Sequence, residues 1–355
     1  MKKIKVLIVD DSALIRKVLT EMLSSDPGIE VIGTASDPYI ARNKIKELNP
    51  DVLTLDVEMP RMDGITFLSN LMRLRPMPVV MVSSLTEKGA DITLQALELG
   101  AVDFVTKPNI DLAHTITDYS DEIIQKVKAA SLAKIKSHDS LSKISVSEKH
   151  SADAVLERKT KIRNFKTTDK IIAIGASTGG TEAIKEVLLA MPINSPGIVI
   201  TQHIPEAFSK KFADRLNGLL GLTVYEAEDA QQIIPGHVYI APGDRHLLVE
   251  RSGARYLCRL NDGPPVNRHK PSVDVLFRSV AQNVGQNAIG VILTGMGDDG
   301  AYGLKEMHDS GAKTIAQDEK TSVVWGMPGS AVQQGGVDQI ESLNKIPDLI
   351  VKFLE

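Results

Sequence analysis

The sequence predicts an α/β protein: two doubly wound, parallel-sheet domains joined by a linker. Three observations carry that expectation. The chain has 355 residues, and one hydrophobic core rarely grows past about 250–300 residues, so two domains are expected. Short apolar runs alternate with helix-spaced segments in both halves, the pattern of strands joined by crossover helices. Between the halves lies a stretch with almost no periodic apolar pattern.

In the first half the strand runs are Lys5–Val9, Val31–Thr34, Val52–Leu55, Val79–Val82 and Phe104–Thr106. They are short and mostly apolar, as strands of a sheet covered on both faces must be. Helical spacing occupies Ala13–Leu23, Tyr39–Leu48, Thr66–Arg73 and Thr93–Leu99, and a fifth helix begins near Asp118 and reaches about Ala133. Residues 131–170 hold eight Lys and two Arg against five acidic residues, and seven serines. Basic and acidic residues are interspersed there, so a solvated hinge is expected rather than a polyanion-binding arm. The second half resumes with Ile171–Ile174, a Gly-rich turn and a helix over Thr181–Leu189. The strand Gly197–Thr201 follows, and later the strand Ala288–Leu293 leads through another Gly-rich turn to a helix from Ala301.

Composition narrows the function. The charged fraction of 24% is ordinary for a globular protein, and a net charge of −4 argues against a nucleic-acid partner. Aromatics make up 4%, too few for a base-stacking platform. One cysteine, Cys258, excludes an internal disulfide and a cysteine-based zinc cluster; it sits in the alternating run Tyr256–Leu260 and reads as structural. The apolar run after Met1-Lys-Lys3 stops at Asp10, too short for a signal-peptide core, and no segment approaches 18 uncharged apolar residues. The expectation is a cytoplasmic protein with no direct membrane insertion.

Two groups of residues carry chemistry. The first lies at strand ends of the first half: Asp10 and Asp11, Asp56, Ser83 and Ser84, and Lys107 followed by Pro108. The carboxyl ends of strands in an open parallel sheet line one crevice. Three carboxylates there offer the hard oxygen ligands that Mg²⁺ accepts, and Lys107 supplies a positive charge toward a phosphoryl group. A carboxylate can be phosphorylated as a nucleophile. Taken singly, Asp10, Asp11 and Ser12 read equally as helix caps.

The second group begins with Gly175-Ala-Ser177-Thr-Gly179-Gly180 after the strand at Ile171. It fits the strand–turn–helix elbow that exposes a nucleophilic serine; it lacks the Lys-Ser/Thr ending of a phosphate-binding loop and the middle glycine of a dinucleotide fingerprint. His203 directly follows the second strand of this half, and Thr294-Gly-Met-Gly-Asp-Asp-Gly300 follows a third. A hydroxyl, an imidazole and a carboxylate from Asp298 or Asp299 are thus expected on one edge.

Residues 1–125 resemble the receiver domain of two-component response regulators, through Val9-Asp-Asp-Ser12, Leu55-Asp-Val-Glu-Met-Pro-Arg-Met-Asp-Gly64, Met81-Val-Ser-Ser84 and Val105-Thr-Lys-Pro108. The resemblance implies a flavodoxin-like fold and phosphorylation of Asp56 by a chemotaxis histidine kinase. It also implies Mg²⁺ on Asp10, Asp11 and Asp56, phosphate contacts from Ser83 and Lys107, and an aromatic switch at Phe104. Residues 169–355 resemble the catalytic domain of chemotaxis protein-glutamate methylesterases. The matching stretches are Ile174–Glu182, Thr201-Gln-His-Ile-Pro205, Tyr239-Ile-Ala-Pro-Gly243, Asn267–Phe277, Leu293–Gly300 and Trp325-Gly-Met-Pro-Gly329. This second resemblance implies a Rossmann-like fold with Ser177 as nucleophile, His203 as base and Asp299 as the third member. Thr178, Met296, Arg268 and His269 are implied as oxyanion or substrate contacts. It implies hydrolysis of methyl esters on methylated chemoreceptors with no cofactor for that step. This chain has Asp298 where many members have asparagine, which adds a charge beside Asp299. Residues 126–168 are left as the linker. With both sites in one chain, the receiver is expected to restrain the esterase until Asp56 is phosphorylated.

Overall fold

A computed structural model describes residues 2–59, 63–84, 86–107, 115–133, 151–157 and 169–355, with the backbone alone at 87–88 and 115–118. The chain divides into two compact units, Met1–Leu141 and Ser142–Glu355. Pro60–Met62, Pro108, His114, His138, His150 and much of the expected linker lie outside the described residues.

The first unit alternates β1 (Ile4–Val9), α1 (Ala13–Ser24), β2 (Ile29–Ala35), α2 (Pro38–Leu48), β3 (Val52–Asp56), α3 (Gly64–Leu74), β4 (Val79–Ser83), α4 (Glu87–Glu98), β5 (Asp103–Thr106) and α5 (Thr115–Leu132). All neighbouring strands are parallel, in the order β2-β1-β3-β4-β5. Chain direction across the sheet reverses between β1 and β3, which opens a crevice at their carboxyl ends. Register completes the placement. Val9 pairs with Leu55, and Asp56 with Val82. Asp10 and Asp56 therefore stand at the same edge. Caps fix the helix starts: Ser12 accepts from the Ile15 N–H, and Asp37 accepts from Tyr39 and Ile40 ahead of Pro38. The expected boundary at residue 125 falls inside α5.

The second unit contains β6 (Ile171–Ala176), α6 (Gly180–Leu189), β7 (Gly197–Gln202), α7 (Glu206–Leu219), β8 (Thr223–Glu226), β9 (Gln232–Ile233), β10 (His237–Ile240), β11 (His246–Ser252), β12 (Arg255–Asn261), α8 (Val273–Asn283), β13 (Ala288–Ile292), α9 (Ala301–Asp309), β14 (Lys313–Gln317), α10 (Met327–Gln333), β15 (Gln339–Glu341) and α11 (Ile346–Leu354). Seven parallel strands run in the order β15-β14-β13-β6-β7-β10-β8. The order turns at β6 and β13, and the crevice opens there.

One feature departs from the doubly wound expectation. Strands β11, β12 and β9 form a separate antiparallel sheet, with Val249 opposite Cys258. It lies against α8. Leu247, Val249, Tyr256 and Cys258 point into the same core as Phe277, Val280 and Leu304. Cys258 is fully buried, and burial pushes its thiol up to about 12, so it is inert at neutral pH.

Ser151–Glu157 lies inside the expected linker but is held by the second unit. Ala152 and Val155 join Val266 and Val275 in a small apolar cluster. Arg278, on α8 and almost fully buried, donates to Asp153 Oδ1 at 2.6 Å, to the Leu156 carbonyl at 3.0 Å, and through Nε and Nη2 to both Glu306 oxygens at 2.9 and 2.7 Å. Gln282 Nε2 donates to the Glu157 carbonyl at 2.7 Å. Arg278→Met should remove the paired hydrogen bonds to Glu306 and those to Asp153 and the Leu156 carbonyl, and lower the stability of this unit by about 3 kcal/mol. Trp325, the chain's one tryptophan, reports this unit alone in urea unfolding. A change within about 0.5 kcal/mol would mean the network is solvated and dispensable.

Candidate active site

Ser177 leaves β6 in a tight elbow. Its backbone N–H donates to the Thr294 carbonyl at 3.0 Å, and its own carbonyl accepts from Gly180 N–H at 2.6 Å. Gly179 sits at φ +76, where a side chain would be strained and would also strike Val323. Gln202 Nε2 donates to the Ser177 carbonyl at 2.9 Å and locks the elbow to the end of β7. Because Ala176 pairs with Gln202, the next residues, Ser177 and His203, emerge at one level of the sheet. Gly295 follows β13 so closely that a Cβ there would lie 2.9 Å from Ser177 Cβ, so the 294–300 turn closes over the serine.

The three strand ends meet as one hydrogen-bonded chain. Ser177 Oγ lies 3.0 Å from His203 Nδ1, and His203 Nε2 lies 2.7 Å from Asp299 Oδ2. Asp299, not Asp298, is the carboxylate. It is buried and accepts from every side: His203 Nε2 and Val273 N–H at 2.7 Å on Oδ2; Ser272 Oγ at 2.7 Å, Asn267 Nδ2 at 2.8 Å and Asp274 N–H at 3.3 Å on Oδ1. Burial alone would raise its pKa. The bond from His203, the electrostatic pull of the His203 and His269 imidazoles and the bond from Asn267 outweigh burial and hold it well below the usual carboxylate range. A permanent anion at Nε2 selects the tautomer with its proton there, leaving the Nδ1 lone pair toward the serine.

Four residues of this shell were not singled out by the sequence reading: Gln202, Asn267, Ser272 and Asp274. Asn267 Nδ2 spans two buried carboxylates, donating to Asp274 Oδ2 at 2.7 Å as well as to Asp299. Burial, and then the charge of Asp299, push Asp274 up to about 7. The local signal is a two-residue hairpin turn. Val266 and His269 exchange backbone hydrogen bonds, and Asn267 and Arg268 between them both take positive φ, 50 and 70, the pattern in which Asn is favoured at the first position.

The other candidates fall into place around the serine. Among the described residues the Met296 N–H makes no hydrogen bond, whereas the Ser177 N–H is taken by Thr294. Thr178 is buried, and its carbonyl accepts from Thr294 Oγ1 at 3.0 Å. Arg268 stands exposed on the rim. The ring of His269 lies flat on that of His203, centroids 3.7 Å apart and 13° from parallel.

In the first unit, the carboxylate oxygens of Asp10, Asp11 and Asp56 lie within 4.8 Å of one another. Asp10 and Asp56 are fully buried, and Lys107 Nζ lies 2.9 Å from Asp56 Oδ2 and 3.6 Å from Asp10 Oδ2. Burial raises both acids, Asp56 to about 6, against the opposing pull of Lys107. One ammonium does not balance three carboxylates, and an all-oxygen set of this spacing suits a hard divalent cation. The Ser83 hydroxyl turns to the Gly89 carbonyl at 3.2 Å and the Ser84 carbonyl at 3.3 Å rather than to this cluster. Phe104 is buried with the Lys126 ammonium 5.0 Å over its ring.

Residues 172–350 match the family model described as CheB methylesterase, and residues 6–117 match that of the response regulator receiver domain. The chain belongs to the CheB methylesterase family. A Hydrogenovibrio crunogenus relative named a protein-glutamate methylesterase/protein-glutamine glutaminase is 60% identical over 100% of both chains. A Geobacter metallireducens relative carrying that name with the number 1 is 60% identical over 99% of this chain and 96% of its own. The crystal structure of the Thermotoga maritima CheB methylesterase catalytic domain is 39% identical, covers 52% of this chain and 98% of its own, and superposes with a TM-score of 0.51. The receiver-plus-methylesterase order of the family is therefore that of this chain, and no described helix is long and apolar enough to cross a membrane.

Proposed function

We propose that this chain is a phosphorylation-regulated serine hydrolase. It removes methyl groups, as methanol, from glutamate γ-methyl esters of chemoreceptors, and deamidates receptor glutamines. It acts in the cytoplasm, in chemotactic adaptation. The observation that carries the reading is the Ser177–His203–Asp299 hydrogen-bonded chain at the turning point of a methylesterase-family sheet.

Ser177 Oγ attacks the ester carbonyl while His203 Nδ1 takes its proton. Asp299 holds the Nε2 proton and stabilises the imidazolium that forms. The Met296 N–H is the donor offered to the oxyanion, a contact typically worth about 3–4 kcal/mol. Methoxide leaves poorly, so His203 returns the proton and methanol departs. Water, deprotonated by the same imidazole, then attacks the acyl-serine and releases glutamate. With a glutamine substrate the leaving group is ammonia and the steps are otherwise the same. No step of this route uses a cofactor.

In the receiver, Asp10, Asp11 and Asp56 would hold Mg²⁺, which neutralises charge on the incoming phosphoryl group. Asp56 is the acceptor, with Lys107 beside it and Ser83 at the neighbouring strand end. The donor is a chemotaxis histidine kinase.

Methylated receptor membranes should release methanol with this protein, and faster with Mg²⁺ and a small phosphodonor. Asp56→Asn should lose that stimulation. Equal rates with and without phosphodonor, under demonstrated phosphorylation, would remove the regulatory half of the proposal. Turnover of small methyl esters with none on receptor would remove the substrate half.

A further inference from the structure

The second imidazole at the active site has no place in the mechanism above. We infer that His269 is a positioning residue for the hydrolysis: its ring, stacked on that of His203, holds the general base in the plane that joins Ser177 to Asp299. The inference rests on the esterase reading and adds a residue to it.

His203 is fixed at two points of its edge, Nδ1 on Ser177 and Nε2 on Asp299. Hydrogen bonds tolerate tilting better than stretching, so two bonds along one edge leave the ring free to rock about the line between them. Rocking swings the Nδ1 lone pair off the serine proton. His269 closes one face at 3.7 Å, the separation of carbon atoms in van der Waals contact. The ring cannot rock that way without a clash, and loses dispersion contact if it rocks the other way.

The stack is imposed by the backbone. Aromatic rings prefer offset or edge-on arrangements with centroids about 4.5–7 Å apart. A 3.7 Å, nearly parallel pair is closer than that preference, and three restraints on one turn hold it. The Val266 and His269 backbones bond to each other at 3.0 and 2.8 Å. The Asn267 amide is tied to both Asp274 and Asp299. Val266 is seated in the apolar cluster with Ala152 and Val275. Arg268 meanwhile stands at φ 70, a conformation that strains a residue with a Cβ. Strain of this kind beside a reacting group points to a role in the reaction. The same amide that ties down the turn carrying His269 also bonds the triad carboxylate. The turn therefore sets the base's plane and its anionic partner together.

The test compares full-length His269→Phe, which keeps a flat ring, with His269→Leu and His269→Gln, which do not. Methanol release from methylated receptor membranes is measured beside wild type and Ser177→Ala. The Leu and Gln variants should lose about 10–100-fold in kcat with KM within about threefold, the cost of a reacting group displaced by under an ångström. The Phe variant should recover to within about fivefold of wild type. Loss carried by KM would make His269 a substrate contact. Equal loss in Phe and Leu would place the role in the imidazole nitrogens, and full activity in Leu would remove the role; each overturns the inference. The His203 Nε2 proton resonance of the free protein gives a second readout that needs no substrate. It should be sharp in wild type and Phe and broadened in Leu, and an unchanged Leu resonance would overturn the inference. If that pattern holds but wild type releases no methanol, it is the esterase reading that fails.

Discussion

Ser177→Ala should lower methanol release by at least about 10³-fold, with the fold intact. The size follows from what is removed. Without Oγ there is no nucleophile and no acyl intermediate. His203 can at best direct a water from Nδ1, so only oxyanion stabilisation and substrate binding remain. The fold should survive, because Ser177 anchors the elbow through its backbone: its N–H to Thr294, and its carbonyl to Gly180 N–H and Gln202 Nε2. An unchanged urea midpoint by Trp325 fluorescence, together with the lost rate, separates chemistry from unfolding. Retention of most of the methanol release would assign the reaction elsewhere.

Asp299→Asn should cost about 10³–10⁴-fold in kcat, nearly as much as the nucleophile. An amide at this position presents N–H₂ where Oδ2 now accepts from His203 Nε2 and Val273 N–H, or where Oδ1 accepts from Ser272 and Asn267. Either orientation sets donor against donor in a buried site, so stability falls as well, by about 1–3 kcal/mol. With the amide donating to Nε2, the imidazole carries its proton on Nδ1, facing Ser177, and cannot act as base. Raising the pH should not restore the rate, because the fault is the tautomer and not the proton count. A rate within tenfold of wild type would show that Asp299 only fills space.

Much of this site was legible because the chemistry sits at strand ends. In both units a short apolar run followed by Asp, Ser or His marks a position on the crevice edge. That was enough to bring Ser177, His203 and the 294–300 turn to one edge, and Asp10, Asp56 and Lys107 to another. Composition and spacing could not choose between Asp298 and Asp299, because both follow the strand; the resemblance pointed to Asp299. The choice in space is made by donors far away in sequence, Asn267, Ser272 and the N–H groups at the start of α8. No local pattern announces that an asparagine amide will span two buried carboxylates.

The antiparallel sheet escaped for a different reason. The alternation around Cys258 read as a strand, but its partner β11 carries charged Glu250 and Arg251 at its outer end. The frame of alternating strands and helices supplied no place for a hairpin. The segment Ser151–Glu157 was read as part of a solvated hinge because one buried side chain, Ala152, and one partly buried, Val155, are too few to make a period. Its attachment depends on Arg278, more than a hundred residues along the chain.

In the proposed function a phosphoacceptor aspartate and an ester-cleaving serine are coupled within one chain. Methanol release from methylated chemoreceptor membranes tests it most directly, with wild type and Ser177→Ala each assayed with and without Mg²⁺ and phosphodonor. Wild type should release methanol and be stimulated by phosphodonor, and the variant should give at most background under both conditions. No release by wild type under any condition, with Asp56 shown to be phosphorylated, would contradict it.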